Sequence, residues 1–269
     1  MPLKRKPLHR HKTRRYGWVP DLPDARDQMY AAPMPAAALP PSVDLRAQCP
    51  VIYDQGQLGS CTGNAIAGAV QFERMKQNLA PNFIPSRLFI YYNERVIEGT
   101  VSTDSGAQIR DGIKVVANEG VPPETDWPYD ITKFAQQPPQ SAYQDALSDR
   151  TVQYQGVVQN LNQFKGCLAS GYPFVFGFTV YDSFESDQVA QTGVVPMPAP
   201  DENVLGGHAV MAVGYDDSQQ RFIVRNSWGE TWGMQGYFTM PYAYLTDQHL
   251  ASDFWTIRLV QADTANNVT

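Results

Sequence analysis

The patterning of the chain changes character near its midpoint, and that change restricts the folds open to it. From residue 61 to about 77, small and apolar residues (Ala65, Ile66, Ala69, Val70, Phe72) recur closely enough for a helix buried on most sides. Pro85 and Ser86 supply start signals for a second helix through Tyr92 and Val96, stopped by Gly99. A third is predicted over 107–118, with Ile109, Ile113 and Val116 on one face and Gly120 just past its end. Beyond about residue 150 the pattern becomes short β-rich runs at 174–181, 209–215, 222–225 and 236–240, separated by Gly, Asp, Ser and Pro. Helices first and strands later argue for an α+β protein with two unlike lobes.

A chain of 269 residues can bury a substantial core, and 43% hydrophobic content with 18% charge describes an ordered protein. No apolar run approaches the roughly 18 residues that a membrane helix needs. Three cysteines, Cys49, Cys61 and Cys167, are too few and too scattered for a disulfide framework; whether Cys49 and Cys167 pair is left open by the sequence. The four histidines show no Cys/His spacing of a zinc site, so neither a metal nor an organic cofactor is expected.

Charge is distributed unevenly. Seven of the 21 Lys and Arg residues fall within the first fifteen positions, which hold no acid, leaving 14 basic against 27 acidic residues in the rest. Such an arm could contact nucleic acid or anionic lipid, although a tail that aids solubility or folds back on the acidic body is the plainer reading. No apolar h-region follows it, so no signal peptide is read, and the expected location is cytoplasmic or reached by a nonclassical export route. Next come Tyr16 to Asp24 around Trp18, then an extended Pro/Ala/Met stretch over 31–41, and the folded body is expected to begin near Ser42. The expected division is 1–38 as arm and short pro-like segment, 39–150 as a mainly helical lobe, and 151–269 as a β-rich lobe.

Acyl transfer at neutral pH needs a weak nucleophile activated by a neighbouring base, and the scarcity of histidine narrows the choice. His9 and His11 lie in the arm and His249 in a polar context, which leaves His208, between Gly207 and an apolar strand. Cys61 follows the flexible approach Gln55 to Ser60 and opens the first helix, where unpaired N–H groups and the dipole favour a thiolate. Asn226, in Asn226 Ser227 Trp228 Gly229, can accept an imidazole N–H and fix the tautomer, with Trp228 covering that bond. The Gln55 amide could donate to a developing oxyanion together with the Cys61 N–H. Each residue alone has a bland reading: a buried inert cysteine, a core histidine, a turn asparagine, a solvated glutamine. Their occurrence together in this order changes the balance.

At this point the chain resembles the papain-like cysteine peptidases, in their bacterial branch, from about residue 40 to about 244. Pro41 to Arg46 looks like the mature start of such enzymes, Gln55 to Cys61 like their oxyanion and nucleophile segment, and His208 Ala209 Val210 like their histidine strand. Asn226 to Gly229, followed by Trp232 Gly233 and Gly236 Tyr237, is the most specific match. His208 and Asn226 follow Cys61 by 147 and 165 residues, against about 130 to 150 for the family.

The resemblance implies a two-lobed fold in which a helical lobe is followed by a β-rich, barrel-like lobe, with the active site in the cleft between. It implies Cys61, His208, Asn226 and Gln55 as catalytic residues. Gly106 becomes a candidate for pairing with the substrate backbone, Ala107 a pocket wall, and Gly207 and Trp228 further substrate contacts. Leu58 and Thr62 depart from a family pattern of a cysteine three positions before the nucleophile and an aromatic after it, which removes a family disulfide.

The activity implied is hydrolysis of peptide bonds through a thioacyl-enzyme, as an endopeptidase acting on peptides or proteins as a monomer. A transglutaminase-like acyl transferase and a catalytically silent peptide-binding relative are the alternatives. The segment before residue 39 is expected to pack near the cleft through Trp18 and restrain activity as in a zymogen, so that deleting 1–38 raises it.

Overall fold

The computed structural model describes residues 16–33, 35 and 38–262; the basic arm, with His9 and His11, lies outside the described residues. Seven α-helices and eight strands are formed among them. The first helix, α1 (Cys61–Lys76), has Cys61 through Arg74 all buried, as its small and apolar sequence requires. Three of its buried polar side chains have named partners: Thr62 donates to Glu94 Oε2 at 2.7 Å, Asn64 Nδ2 to the Ser60 carbonyl at 2.9 Å, and Arg74 pairs with Asp149.

Helix α2 (Arg87–Glu98) starts where Ser86 Oγ accepts the Phe89 N–H at 3.2 Å and stops at Gly99, whose left-handed φ of 71° favours a residue without a Cβ. Helix α3 (Ile109–Asn118) begins two residues later than the sequence suggests. The Gln108 N–H is held by Glu98 Oε1 at 2.7 Å, and the peptide groups of Ala107 are used by the N-terminal segment instead. Four short helices follow: α4 (Gln140–Ala146), α5 (Leu161–Ala169), α6 (Asp187–Thr192) and α7 (Tyr242–Thr246). Among the described residues no helix is long and apolar enough to cross a membrane.

The strands are β1 (Met29–Tyr30), β2 (Ser42–Asp44), β3 (Asp149–Val157), β4 (Phe174–Tyr181), β5 (Val204–Asp216), β6 (Arg221–Arg225), β7 (Tyr237–Pro241) and β8 (Ala251–Ala262). They form one sheet in the order β1-β3-β8-β4-β5-β6-β7, with β2 added on the last residues of the long β5. All neighbours are antiparallel except β1 on β3.

The barrel-like lobe expected from the sequence is not what forms, because this sheet is open. The outer edge of β7 is occupied by the loop after α6: the Val195 N–H reaches the Thr239 carbonyl at 3.0 Å and the Thr239 N–H the Gly193 carbonyl at 2.7 Å. At the other end β1 has only two residues and pairs with β3 alone. The end strands β1 and β7 thus do not pair with each other.

Two hydrophobic clusters fill the interior. The larger includes residues of α1 and of the sheet, and within it Phe164 of α5 packs on the sheet residues Phe174, Phe222 and Phe254, at a centroid distance of 4.4 Å to Phe254, while Phe176 stacks on Phe254. The smaller, with Leu88, Phe89, Tyr91, Val115 and Trp127, lies among the helices. Because α1 packs on β5 and β8 as well as on α2 and α3, its N-terminus opens where helices and sheet meet.

Candidate active site

Cys61 is the first residue of α1, reached through a turn in which Gly56 takes a φ of 61°. His208 lies in β5 opposite Phe178 of β4. Asn226 follows the end of β6, its N–H on the Gly236 carbonyl at 2.9 Å. The structure therefore brings the helix start and two neighbouring strands of the sheet to one point. The N–H of Ala209, next after His208, is directed at the Cys61 sulfur.

His208 Nε2 and Asn226 Oδ1 are 2.8 Å apart. As an amide oxygen can only accept, Nε2 carries the proton and Nδ1 is the nitrogen left to exchange a proton with a thiol. Asn226 Oδ1 also accepts the Ser227 N–H at 2.9 Å, which fixes the amide's orientation. The Trp228 ring stacks on the imidazole at 4.9 Å and 28°, and Phe184 and Trp232 pack around Trp228, so water is kept from the His208–Asn226 bond.

Gln55 is fully buried. Its Oε1 accepts the Ser227 hydroxyl at 2.7 Å and its Nε2 donates to the Leu58 carbonyl at 3.0 Å. These two bonds fix the orientation of the amide. Ser60 and Tyr129 complete this wall: the Tyr129 hydroxyl donates to the Gln55 carbonyl at 3.0 Å, and its ring lies under the Arg87 guanidinium.

The N-terminal segment crosses this site as a strap. Ala107 N–H donates to the Gly17 carbonyl at 2.7 Å, Val19 N–H to the Ala107 carbonyl at 3.0 Å, and Trp18 N–H to the Gly207 carbonyl at 2.9 Å. Trp18 and Ala107 pair as parallel strands. Gly17 crosses so close to Gly59 that a Cβ on it would overlap the Gly59 carbonyl, and Gly106, at φ 75°, would likewise overlap Gly17 if it bore one. The Tyr16 ring reaches both His208 (6.2 Å) and Trp228 (6.4 Å).

Beneath the strap Cys61, His208 and Gln55 have no exposed surface. Burial pushes the Cys61 thiol up to about 12, outweighing the N–H groups of Ala209, Gly17 and Thr62 that favour the anion. In this covered state the thiol prevails over the thiolate expected at a helix start.

Of the four candidate substrate residues, two carry backbone bonds to the strap. The backbone bonds fall on Ala107 and Gly207, while Gly106 supplies clearance and Trp228 backs the histidine. Sequence reasoning missed Ser227, Tyr129, Tyr91, Asp104 and the carboxyls Asp21 and Asp253, all polar residues whose partners are distant in the chain. Cys49, Cys61 and Cys167 are free thiols. Among the described residues no group of three or more His, Cys, Asp or Glu could hold a metal ion.

A thiol at a helix start, an imidazole oriented by an asparagine and a buried amide donor, set between helices and an antiparallel sheet, define a thiol hydrolase of papain type. Residues 39–253 match the family described as papain family cysteine protease, and the chain belongs to that family. It is a cysteine peptidase. The structure is similar to that of xylellain, a cysteine protease from Xylella fastidiosa, at 47% identity and a TM-score of 0.86, covering 93% of this chain and 99% of that one. The bacterial kinship expected from the sequence has its counterpart there. An uncharacterized peptidase C1-like protein of Acanthamoeba polyphaga mimivirus is 49% identical over 222 residues, 80% of this chain and 71% of its own length. Procathepsin B S9 of Trypanosoma congolense, 18% identical with a TM-score of 0.68 over 89% of this chain and 84% of its own, shares the fold.

Proposed function

We propose that the chain is an endopeptidase in which Cys61 is the nucleophile, His208 the acid and base, Asn226 the group that orients it and Gln55 an oxyanion donor. The observation that carries this assignment is the 2.8 Å contact between His208 Nε2 and Asn226 Oδ1, which commits one ring nitrogen and turns the other to the side where α1 begins.

Nδ1 takes the thiol proton as sulfur attacks the substrate carbonyl. The oxyanion is held by Gln55 Nε2 and the Cys61 N–H, and as the intermediate collapses His208 gives its proton to the leaving amine. Water, deprotonated by the same nitrogen, then cleaves the thioester. The segments 39–150 and 151–269 would act as the two walls of the cleft, a division supported by the position of the three long helices α1 to α3 in the first and of strands β4 to β8 in the second.

The strap, in this reading, restrains the enzyme as a built-in inhibitor, and the chain is a zymogen. It is held by three backbone bonds on Ala107 and Gly207, and the Gly17 N–H, an unreactive group, faces the sulfur.

The test is labelling of the intact chain with a peptidyl epoxide or fluoromethylketone, read by mass spectrometry, in wild type, Cys61→Ala and His208→Ala. A single adduct at Cys61 that requires His208 is expected. An adduct at another residue, or one at Cys61 that forms equally well without His208, would overturn the assignment.

A further inference from the structure

Three segments converge beside the nucleophile without a covalent tie. The turn that delivers Cys61 contributes Gly59, helix α2 contributes Tyr91, and the loop before α3 contributes Asp104 and Gly106. Gly59 N–H donates to Asp104 Oδ1 at 3.0 Å and lies 3.2 Å from Oδ2. The Tyr91 hydroxyl donates to Asp104 Oδ1 at 2.6 Å and in turn accepts the Gly106 N–H at 3.2 Å.

Tyr91 is fully buried, and on its ring rests the Arg95 guanidinium at 4.0 Å. The same guanidinium donates to the carbonyls of Val101 at 2.9 Å and Thr103 at 3.0 Å. The loop is thus anchored to a rigid helix on one side, and its one carboxylate reaches across to the nucleophile's turn. A Cβ on Gly59 would stand 2.9 Å from Asp104 Oδ1, so the close approach depends on glycine there.

We infer that Asp104, acting through Gly59 and Tyr91, is a positioning residue for the peptidase reaction. It holds the segment that pairs with a peptide backbone, residues 106 and 107, at a set distance from the turn that presents Cys61. This rests on the assignment of Cys61 as nucleophile. The physical reason is that a peptide held on Ala107 reaches the sulfur only if these two segments keep their spacing, and a misplacement of about 1 Å costs on the order of a hundredfold in rate. A charged acceptor binding an amide and a phenol is a strong tie for one side chain.

The consequence is selective. A small alkylating agent needs the Cys61 sulfur alone, whereas a peptidyl reagent needs the sulfur and the paired segment together. Both must wait for the strap to leave, so the ratio of their labelling rates on the intact chain is independent of how often it does. In Asp104→Ala the ratio of fluoromethylketone to iodoacetamide rates at Cys61 is expected to fall about tenfold to a hundredfold, with the iodoacetamide rate little changed.

Asp104→Asn, which keeps an acceptor oxygen for Gly59 and Tyr91, should recover most of the ratio. Tyr91→Phe, which keeps the ring and removes the hydroxyl, should lower it, and serves if the alanine variant does not fold. With peptide substrate the loss should appear in KM as well as kcat. An unchanged ratio in the folded variants, whether both rates hold or fall together, overturns the inference. If the wild type itself gives no peptidyl adduct at Cys61, the assignment of the nucleophile fails first and the inference falls with it.

Discussion

Trp18 Nε1 donates to Asp253 Oδ2 at 2.9 Å, tying the strap to the last strand of the sheet. The same oxygen accepts the Asp21 N–H at 2.8 Å, and the Asp21 carboxylate accepts the Trp255 indole N–H at 3.1 Å and the Arg110 N–H at 3.1 Å. Two carboxyls, one from the strap and one from the body, therefore share a half-closed pocket. The cation beside them, Arg110, is engaged by Asp27.

That pairing makes closure of the strap depend on pH. Burial, and then the neighbouring Asp253, raise Asp21 from its ordinary 3.8 to about 7; Asp253 is raised first by its own burial. A carboxyl whose docked value exceeds its free value favours docking while protonated. The contribution is complete below about 4 and is lost as pH rises through about 7. Wild-type activity divided by that of Asp21→Asn should therefore climb between pH 5 and pH 8, because the variant keeps its strap closed throughout. The division removes the titration of the catalytic residues, and a flat quotient would exclude this latch.

Gly177 of β4 offers a way to open the strap without touching the residues proposed to react. The Trp18 indole lies flat on Gly177, where an added Cβ would overlap its ring atoms. The same wall continues into the neighbouring strand β5, whose Gly207 contacts the same ring. Close-packed walls of this kind yield little, so Gly177→Ala should displace Trp18 and speed iodoacetamide labelling of Cys61. Trp18→Ala should do the same by removing the anchor. Labelling no faster than wild type in both variants would mean that the strap is not held through this ring. Deleting 1–38, the coarser experiment, also removes Tyr30, which is buried, and the β1 strand, so the point variants report more cleanly.

The Asn226 side chain holds the imidazole with a bond to a group that, as the proposed base, becomes charged during the reaction. Such bonds contribute about 1.5–3 kcal/mol. Asn226→Ala should then lower kcat/KM by roughly 10- to 150-fold. A thermal midpoint close to wild type would separate this from unfolding. A loss of less than threefold would indicate that Trp228, stacked at 4.9 Å, orients the ring unaided.

The residues of the candidate site were legible because each sits in a distinctive local context: a cysteine opening a buried helix, a histidine between glycine and an apolar strand, an asparagine before Ser-Trp-Gly. The three long helices were legible from periodicity and end signals such as Ser86 and Gly99. Closure of the sheet was not, since it depends on which chain meets the edge of β7, and the contact of Val195 with Thr239 leaves no mark in either segment. Nor was the path of the strap. Gly17 and Gly106 read as ordinary glycines, and their need for clearance arises only because two distant backbones cross there. Asp104, Asp21 and Asp253 look like surface acids until Gly59, Trp18 and Trp255 are brought to them by the fold.

Gln55 is the residue whose role depends most on its neighbours. The Ser227 hydroxyl binds its oxygen at 2.7 Å, and a flipped amide would put a nitrogen opposite that hydroxyl and an oxygen opposite the Leu58 carbonyl. The second of these is repulsive, so the amide is held with its nitrogen toward the Leu58 carbonyl, the orientation in which its second N–H can serve as the proposed oxyanion donor. Removing an oxyanion donor of this kind costs about 10²- to 10³-fold in kcat. Gln55→Ala is therefore expected to lose kcat on that scale with KM nearly unchanged, because the ground-state carbonyl makes little use of the donor. Gln55→Glu restores the shape and the acceptor for Ser227 but takes away the N–H, and should be no better than alanine. If glutamate instead recovers activity, the side chain serves to brace the loop through Ser227, and the oxyanion is stabilised by the Cys61 N–H and other donors.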